Sequence, residues 1–189
     1  MNGRILSVLA AAALMALSVP SAANAQFYIS GGATFPTGDF GDYAKTGWQI
    51  AGGYLFDIGT AGLSVGIDGF YGENKHKDLE SISPGLESDG KTNPYGIMGV
   101  AVYEFGMESS VAPYVFGGLG WLAHKYSGSI FGESIDETDS GFGYQLGAGV
   151  AFPVSTSIAI YGEGRYTAGT GDVSDTKFFS VLGGLSFGI

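Results

Sequence analysis

The stretch KFFSVLGGLSFGI, residues 177–189, closes the sequence and presents two different faces. Every second residue from Phe179 onward is apolar or glycine: Phe, Val, Gly, Leu, Phe and Ile. The residues between them are mostly small or polar, and no charge follows Lys177. Alternation with a period of two predicts a β-strand. A strand with such an apolar face and a free edge would aggregate in water, so either another layer covers it or its surroundings are not aqueous.

The same alternation recurs along the chain from Gln26 onward, in eight candidate strands. The clearest is 142–152, in which Phe, Tyr, Leu, Ala, Val and Phe alternate with glycine, Gln and Ala. Seven of the strands have one predominantly apolar face, whereas 114–126 is apolar on both faces, so its orientation stays open. The strands are predicted at residues 26–35, 48–57, 63–71, 95–104, 114–126, 142–152, 158–167 and 177–189.

The composition narrows the class of protein. The chain has 189 residues, enough for one domain. Its 34 glycines, 11 tyrosines and 13 phenylalanines favour a β protein, because glycine costs about 1 kcal/mol in a helix. The absence of cysteine excludes disulfides, thiolate catalysis and cysteine-ligated zinc. The net charge of −10 argues against a nucleic-acid partner, which requires a basic face.

The beginning of the chain has the pattern of a targeting segment. Arg4 precedes an apolar run, Ile5–Leu17, and a small-residue motif, ANA, ends at Ala25. This order predicts a secretory signal peptide at residues 1–25, cleaved after Ala25. The apolar run is shorter than the roughly 20 residues of a membrane-spanning helix, which disfavours the alternative of an uncleaved anchor.

The connections between the strands alternate in length, long after the odd-numbered strands and short after the even-numbered ones. Long outer loops and short periplasmic turns are typical of bacterial outer-membrane barrels, and strands of about ten residues can cross a bilayer at a tilt. The sequence therefore predicts an all-β fold for residues 26–189: an eight-stranded antiparallel up-and-down transmembrane β-barrel in the outer membrane. Closing the barrel pairs the edge of the last strand with the first, and its apolar face meets lipid. The long connections are 36–46, 75–92, 127–140 and 170–176, and the short ones are 58–62, 106–112 and 155–157.

Charges divide between the connections and one face of the strands. Most of the 18 acidic residues lie in the long connections or beside them. The few strand charges fall on the face opposite the apolar one, which is the lumen face. An eight-stranded barrel is just wide enough for its side chains to fill the interior, so these charges are expected to form a buried polar network. We expect Arg165 to pair there with Asp68, Glu104 or Glu163.

Several segments resemble the OmpA/OmpX/opacity-type family of eight-stranded outer-membrane β-barrels. They are GGATFPTGDF (31–40), APYVFGGLGW (112–121), EGRYTAG (163–169) and the terminal alternating strand. The resemblance implies an integral outer-membrane protein with a structural or surface role. It also implies contact with outer-membrane lipids and lipopolysaccharide, recognition of the C-terminal strand by the barrel assembly machinery, and a surface ligand at the loops as an open question. The chain departs from the family by ending in Ile189, with the aromatic Phe187 two residues earlier.

Three alternatives have different physical requirements. A narrow porin-like channel would need an open lumen, and a soluble lipocalin-like barrel would need the apolar residues inside. A lipid-A-modifying enzyme would need a histidine base beside a nucleophile, whereas His124 and Ser127 point to opposite faces of a strand. We therefore predict no enzymatic activity and no catalytic, cofactor-binding or metal-ligating residues. His76 and His124 are expected to be solvated at the rim, and GESIDETD (132–139) to be a solvated acidic loop.

Overall fold

A computed structural model describes residues 25–77, 90–105, 110–130 and 133–188. Within these residues, eight antiparallel strands follow one another in chain order and close into a barrel, because the last strand pairs with the first. The predicted fold class is confirmed. The predicted signal peptide lies outside the described residues except for Ala25. The strands are β1 (Ala25–Pro36), β2 (Gly47–Thr60), β3 (Leu63–Lys75), β4 (Lys91–Glu104), β5 (Ala112–Ile130), β6 (Glu133–Pro153), β7 (Ile158–Gly169) and β8 (Lys177–Gly188).

The alternation along each strand determines which side chains face outward. In β6, Phe142 and Leu146 are 54% and 59% exposed, whereas Gln145 between them is fully buried. The same rule orients β5, which the sequence left open: Leu119 is 61% exposed, and Leu122 is fully buried. The apolar set therefore covers the outside of the barrel, and the polar set fills the inside. This is the reverse of a water-soluble barrel, and it requires surroundings as apolar as lipid.

The hairpin formed by β5 and β6 is longer than predicted. The prediction of a loop at 127–140 is wrong, because the two strands stay paired as far as Ile130 and Glu133. Backbone pairing needs no apolar alternation where both faces meet water, so the polar sequence concealed the strands. Cross-strand polar contacts support the extension. The Ser127 hydroxyl donates a hydrogen bond to Asp136 at 2.8 Å, and the Lys125 ammonium lies 3.3 Å from the same carboxylate.

The barrel has an upper end, which carries the long connections, and a lower end, which carries the short turns. Two short helical segments close the upper end: α1 (Asp39–Tyr43) and a 3₁₀ turn (Gly171–Val173). Neither these segments nor any other helix in the described ranges is long and apolar enough to cross a membrane. Their apolar residues join inward side chains of the strands in one cluster, here called the apolar plug. The plug consists of Phe40, Phe70, Met98, Leu122, Val173 and Phe178, each at most 6% exposed.

Glycine allows neighbouring strands to approach closely at a few inward positions. A Cβ atom on Gly66 would lie 1.8 Å from the carbonyl oxygen of Tyr54, which is far inside van der Waals contact. Gly99 differs, because it faces outward and a Cβ atom there would lie 3.7 Å from its nearest neighbour. Gly66 is therefore required by the packing of the barrel wall, whereas Gly99 is not.

Candidate functional site

A buried ion cluster lies in the lumen below the apolar plug. Arg165 on β7 is 2% exposed, and its guanidinium contacts carboxylates from two different strands. Its Nη1 is 2.6 Å from Oδ2 of Asp68, on the opposite wall in β3, and its Nη2 is 2.7 Å from Oε1 of Glu163. The contact with Asp68 ties opposite sides of the barrel together, whereas Glu163 lies on β7 two residues from Arg165. Buried charges are tolerated only where such pairing and further hydrogen bonds replace water.

Uncharged side chains complete the hydrogen bonding of the cluster. The Tyr28 hydroxyl donates to Asp68 Oδ1 at 2.7 Å, and Gln145 Nε2 donates to Asp68 Oδ2 at 3.2 Å. The Tyr114 hydroxyl donates to Glu163 Oε2 at 2.9 Å. The guanidinium carbon of Arg165 lies 5.1 Å from the centre of the Phe116 ring, within the range of a cation–π contact. The network thus supplies partners for both carboxylates in a water-poor interior.

The sequence placed Arg165, Asp68, Glu163 and Glu104 on the lumen face without fixing their partners. The structure brings the first three together, whereas Glu104 lies lower and, among the described residues, makes no ion pair with Arg165. Sequence analysis did not single out Tyr28 or Gln145. Alternation places both on the lumen face, so a signal existed. Their contacts with Asp68 span 40 and 77 residues, and no local pattern predicts contacts at that separation.

A cavity lies between the ion cluster and the lower end of the barrel. A volume of about 70 Å³ within it is open to the centre of a water molecule. Its wall includes the carboxylates Glu104 and Glu163 and three tyrosine rings. Tyr161 packs edge-on against Tyr28 and Tyr114, with a centroid distance of 6.4 Å to each. The lining residues come from the lower ends of the strands, so the cavity faces the short turns, and the ion cluster and the apolar plug lie above it.

Aromatic side chains form two bands on the outside of the barrel. Near the upper end, four rings follow one another across β2 to β5, with centroid distances of 5.5 to 6.5 Å between neighbours. Near the lower end, Tyr103 contacts Phe105, and Phe27 contacts Tyr54. Such bands are typical of the two interfaces of a membrane. The upper band, here called the aromatic arc, consists of Trp48, Tyr71, Tyr95 and Trp121.

Comparison with known proteins decides the family. Residues 9–187 match the family model described as "Outer membrane protein beta-barrel domain". The chain belongs to this family. It is also 30% identical over 144 residues to a 22 kDa outer membrane protein of Rhizobium leguminosarum bv. viciae, in an alignment that covers 75% of this chain and 62% of the relative. The chain thus spans less than two thirds of that relative's length.

Solved structures share the fold at low sequence identity. Neisserial surface protein A is 18% identical, with a TM-score of 0.56 over 85% of this chain and 96% of that one. The N-terminal β-barrel domain of Pseudomonas aeruginosa OprF is 15% identical, with a TM-score of 0.54 over 88% and 98%. Ail of Yersinia pestis is 18% identical, with a TM-score of 0.50 over 88% and 99%. At these identities the likeness concerns the fold alone.

Family membership fixes the position of this outer-membrane barrel. The protein spans the outer membrane, with the long connections of the upper end outside the cell and the short turns of the lower end in the periplasm. The aromatic bands agree with this placement. Tyr95 and Tyr103 are eight residues apart on β4, which corresponds to about 27 Å along the strand. At a tilt of about 40° the height becomes about 21 Å, close to the roughly 25 Å apolar band of such barrels.

Both histidines of this outer-membrane barrel are more enclosed than predicted. His76 is 6% exposed, and its Nε2 lies 2.8 Å from the Thr92 hydroxyl. Burial lowers the pKa of His76 below its usual value. His124 lies between the Thr176 hydroxyl, 2.7 Å from Nδ1, and Asp139, 3.6 Å from Nε2. The prediction of solvated rim histidines is therefore wrong, because α1 and the 3₁₀ turn fold over the upper end and cover them.

The Thr176–His124–Asp139 arrangement has the order of groups found in hydrolases with an activated hydroxyl. Thr176 is only 2% exposed, however, and its hydroxyl faces the imidazole inside the barrel mouth. The nucleophile position is thus inaccessible to an acyl carbonyl. Ser127, the nucleophile considered from the sequence, donates to Asp136 instead of contacting His124. Across the described ranges, no group of three or more His, Cys, Asp or Glu residues could hold a metal ion.

Proposed function

We propose that this outer-membrane protein has a structural and surface role, with a lumen closed to solute flow and no enzymatic activity. The observation that carries the proposal is the apolar plug. Its six side chains are almost completely buried and lie between the ion cluster and the outside of the cell. Arg165 below it joins opposite walls through Asp68 and also pairs with Glu163 on its own strand. A lumen filled in this way favours a barrel that is held rigid over one that conducts.

The absence of catalysis is supported by the enclosed Thr176. A test is to incubate the refolded barrel with lipid A and follow the lipid by mass spectrometry. We expect no loss of an acyl chain. Release of fatty acid by the wild-type protein, abolished by His124→Asn, would contradict the proposal. The signal peptide is likewise a proposal, and N-terminal sequencing of the membrane-inserted protein should begin at Gln26.

Lipopolysaccharide is the proposed lipid partner at the upper rim. All six lysines of the chain lie at the upper end. Lys75 and Lys91 are cross-strand partners, so their like charges repel each other unless an anion lies nearby. Lys91 and Lys125 are 45% and 44% exposed, although each also contacts a carboxylate. These three lysines are placed on the outward face above the aromatic arc, the height at which lipid phosphates lie.

The lipid proposal is tested by comparing phosphorylated and dephosphorylated lipid A in vesicles. We expect the phosphorylated lipid to raise the unfolding temperature of the wild-type barrel and to have a smaller effect on the Lys75→Ser/Lys91→Ser variant. Lys177→Ser, at the upper end on β8, serves as the matched control. An equal effect of both lipids on the wild type would contradict a phosphate contact.

We also propose two contacts with other macromolecules. The barrel assembly machinery is proposed to recognise β8, because this strand closes the barrel and carries the outward Phe187 near its end. The acidic connections of the upper end are proposed to meet a surface ligand with basic groups. Substitution of Phe187 by Leu, which removes the ring but keeps an apolar side chain toward lipid, should lower the amount of folded protein in the outer membrane while changing the stability of the refolded barrel by less than about 1.5 kcal/mol.

The closed lumen is tested by planar-bilayer recording. Protein refolded in detergent should show a compact band that shifts on boiling, and after incorporation it should show no discrete current steps. Vesicle flotation in parallel establishes that the protein has inserted. Discrete steps whose size changes in Phe178→Ala, which shortens a plug side chain, would replace the structural proposal with the porin-like alternative.

A further inference from the structure

The cavity at the periplasmic end is large enough for a small molecule. The volume open to a water centre is about 70 Å³, and on this measure a single water needs roughly 10–15 Å³. Several waters, or one ion of the size of a methylated ammonium group, therefore fit. The way in is from the periplasm, because the ion cluster and the apolar plug lie above the cavity.

Charge in the cavity region is unbalanced toward the negative. Arg165 is the one base on its wall, and both Asp68 and Glu163 contact it. This group of three carries a formal charge of −1 when ionised. Glu104 adds a second carboxylate to the wall, and among the described residues it makes no ion pair. All six lysines lie at the opposite end of the barrel, so a cation entering from the periplasm meets a field that attracts it.

Aromatic rings supply the second feature of the cavity. Tyr28, Tyr114 and Tyr161 all line it, and Tyr161 contacts the other two edge-on. The hydroxyls of Tyr28 and Tyr114 are fixed by the carboxylates of Asp68 and Glu163, which holds their rings in place. Aromatic rings grouped around a small space are the arrangement by which proteins bind methylated ammonium ions. A neutral ligand can hydrogen-bond to the two carboxylates but gains no charge–charge attraction from them.

We infer that the cavity binds a small alkylammonium ion from the periplasm, with the positive nitrogen between the three tyrosine rings and the carboxylates of Glu104 and Glu163. The geometry favours a methylated ammonium over a metal ion, because the wall offers rings and two separate carboxylates instead of a cluster of oxygen ligands. This inference is independent of the surface role, since the cavity opens to the other side of the membrane.

The test uses choline and its uncharged isostere, 3,3-dimethyl-1-butanol. The refolded barrel is held in octyl glucoside, because phosphocholine detergents carry the same quaternary ammonium and would compete. Saturation-transfer NMR follows the methyl protons of each ligand over a concentration series. We expect saturable binding of choline and binding of the isostere that is weaker by about tenfold or more.

Variants locate the site. Glu104→Gln should weaken choline binding about tenfold, and Tyr161→Leu about fivefold. Asp57→Asn, which removes a carboxylate at the same end of the barrel but outside the cavity wall, is the matched control and should change binding less than about twofold. Boiling-sensitive migration establishes that each variant is folded. If one of the two cavity variants fails to fold, the other still tests the site. The inference is overturned if the isostere binds as well as choline, or if the control weakens binding as much as Glu104→Gln.

Discussion

Substitution of Arg165 by Met should destabilise the barrel strongly, because it removes the charge but keeps most of the volume. The guanidinium makes short contacts with Asp68 at 2.6 Å and with Glu163 at 2.7 Å, and it is 2% exposed. A hydrogen bond to a charged group contributes about 1.5–3 kcal/mol, so two of them give about 3–6 kcal/mol. Breaking a buried ion pair by removing one partner costs a similar 3–5 kcal/mol. We therefore expect a loss of about 3–5 kcal/mol.

The measurement is urea unfolding of the barrel in phospholipid vesicles. Fluorescence reports it well, because both tryptophans, Trp48 and Trp121, lie in the aromatic arc. Lys91→Met is the matched control: its ion pair with Glu73 is also short, at 2.9 Å, but the lysine is 45% exposed. Because an exposed pair is screened by water, Lys91→Met should lower the free energy of unfolding far less than Arg165→Met does.

A triple variant separates the cost of unpaired charges from the value of the cluster. Arg165→Met combined with Asp68→Asn and Glu163→Gln keeps hydrogen-bond acceptors for Tyr28 and Tyr114 while leaving no buried charge. We expect it to recover most of the lost stability, because replacing a whole buried ion cluster is often neutral. The reasoning is refuted if Arg165→Met costs no more than Lys91→Met, or if the triple variant is less stable than the single one.

Three other predictions concern the barrel wall and the upper rim. Leu119→Arg, on the lipid face, should cost about 2–4 kcal/mol in the same vesicle unfolding assay; a neutral result would mean that this face does not contact hydrocarbon. Gly66→Ala should reduce the yield of the compact band on refolding, because its Cβ would lie 1.8 Å from a carbonyl oxygen, whereas Gly99→Ala should refold like the wild type. Burial lowers the pKa of His76 from 6.5, so the unfolded chain binds more protons between the two pKa values, and stability should fall as the pH drops through 6.5 toward the lower value. His76→Gln should flatten that part of the stability–pH curve, and an unchanged slope would contradict the assignment.

The strands and their orientation were predictable because a membrane barrel imposes one simple rule on its sequence. Each strand has one side in lipid and one in the lumen, so residues such as Leu146 and Gln145 differ sharply although they are neighbours. The orientation of β5 could not be predicted, because its inward residues Phe116 and Leu122 are as apolar as its outward ones. Phe116 is suited to its inward position because it stacks on Arg165, and Leu122 because it belongs to the apolar plug. The alternation of the sequence shows neither contact.

The rest of the site depends on contacts that span the barrel. The position of Asp68 and Arg165 on the lumen face was predicted. Their pairing was not, because the two residues are 97 positions apart in the sequence. The plug depends on α1, whose five residues are too few to show a helical period. Its Phe40 is completely buried although its neighbours Asp39 and Asp42 are charged and polar. His76 and His124 are enclosed for the same reason, because α1 and the 3₁₀ turn cover the upper end of the barrel. No local sequence pattern predicts this cover.

The extended hairpin of β5 and β6 projects beyond the membrane interface at the upper end of the barrel. From Trp121 at the membrane interface to Ile130 at the end of β5 is nine residues, or about 31 Å along the strand. At a tilt of about 40° the rise is about 24 Å, which carries the end of β5 well beyond the membrane interface. An unpaired loop of equal length would be free to fold back toward the membrane surface, whereas paired strands stay extended. The hairpin is therefore a rigid projection, and a large molecule approaching this part of the upper end meets paired strands well above the membrane interface.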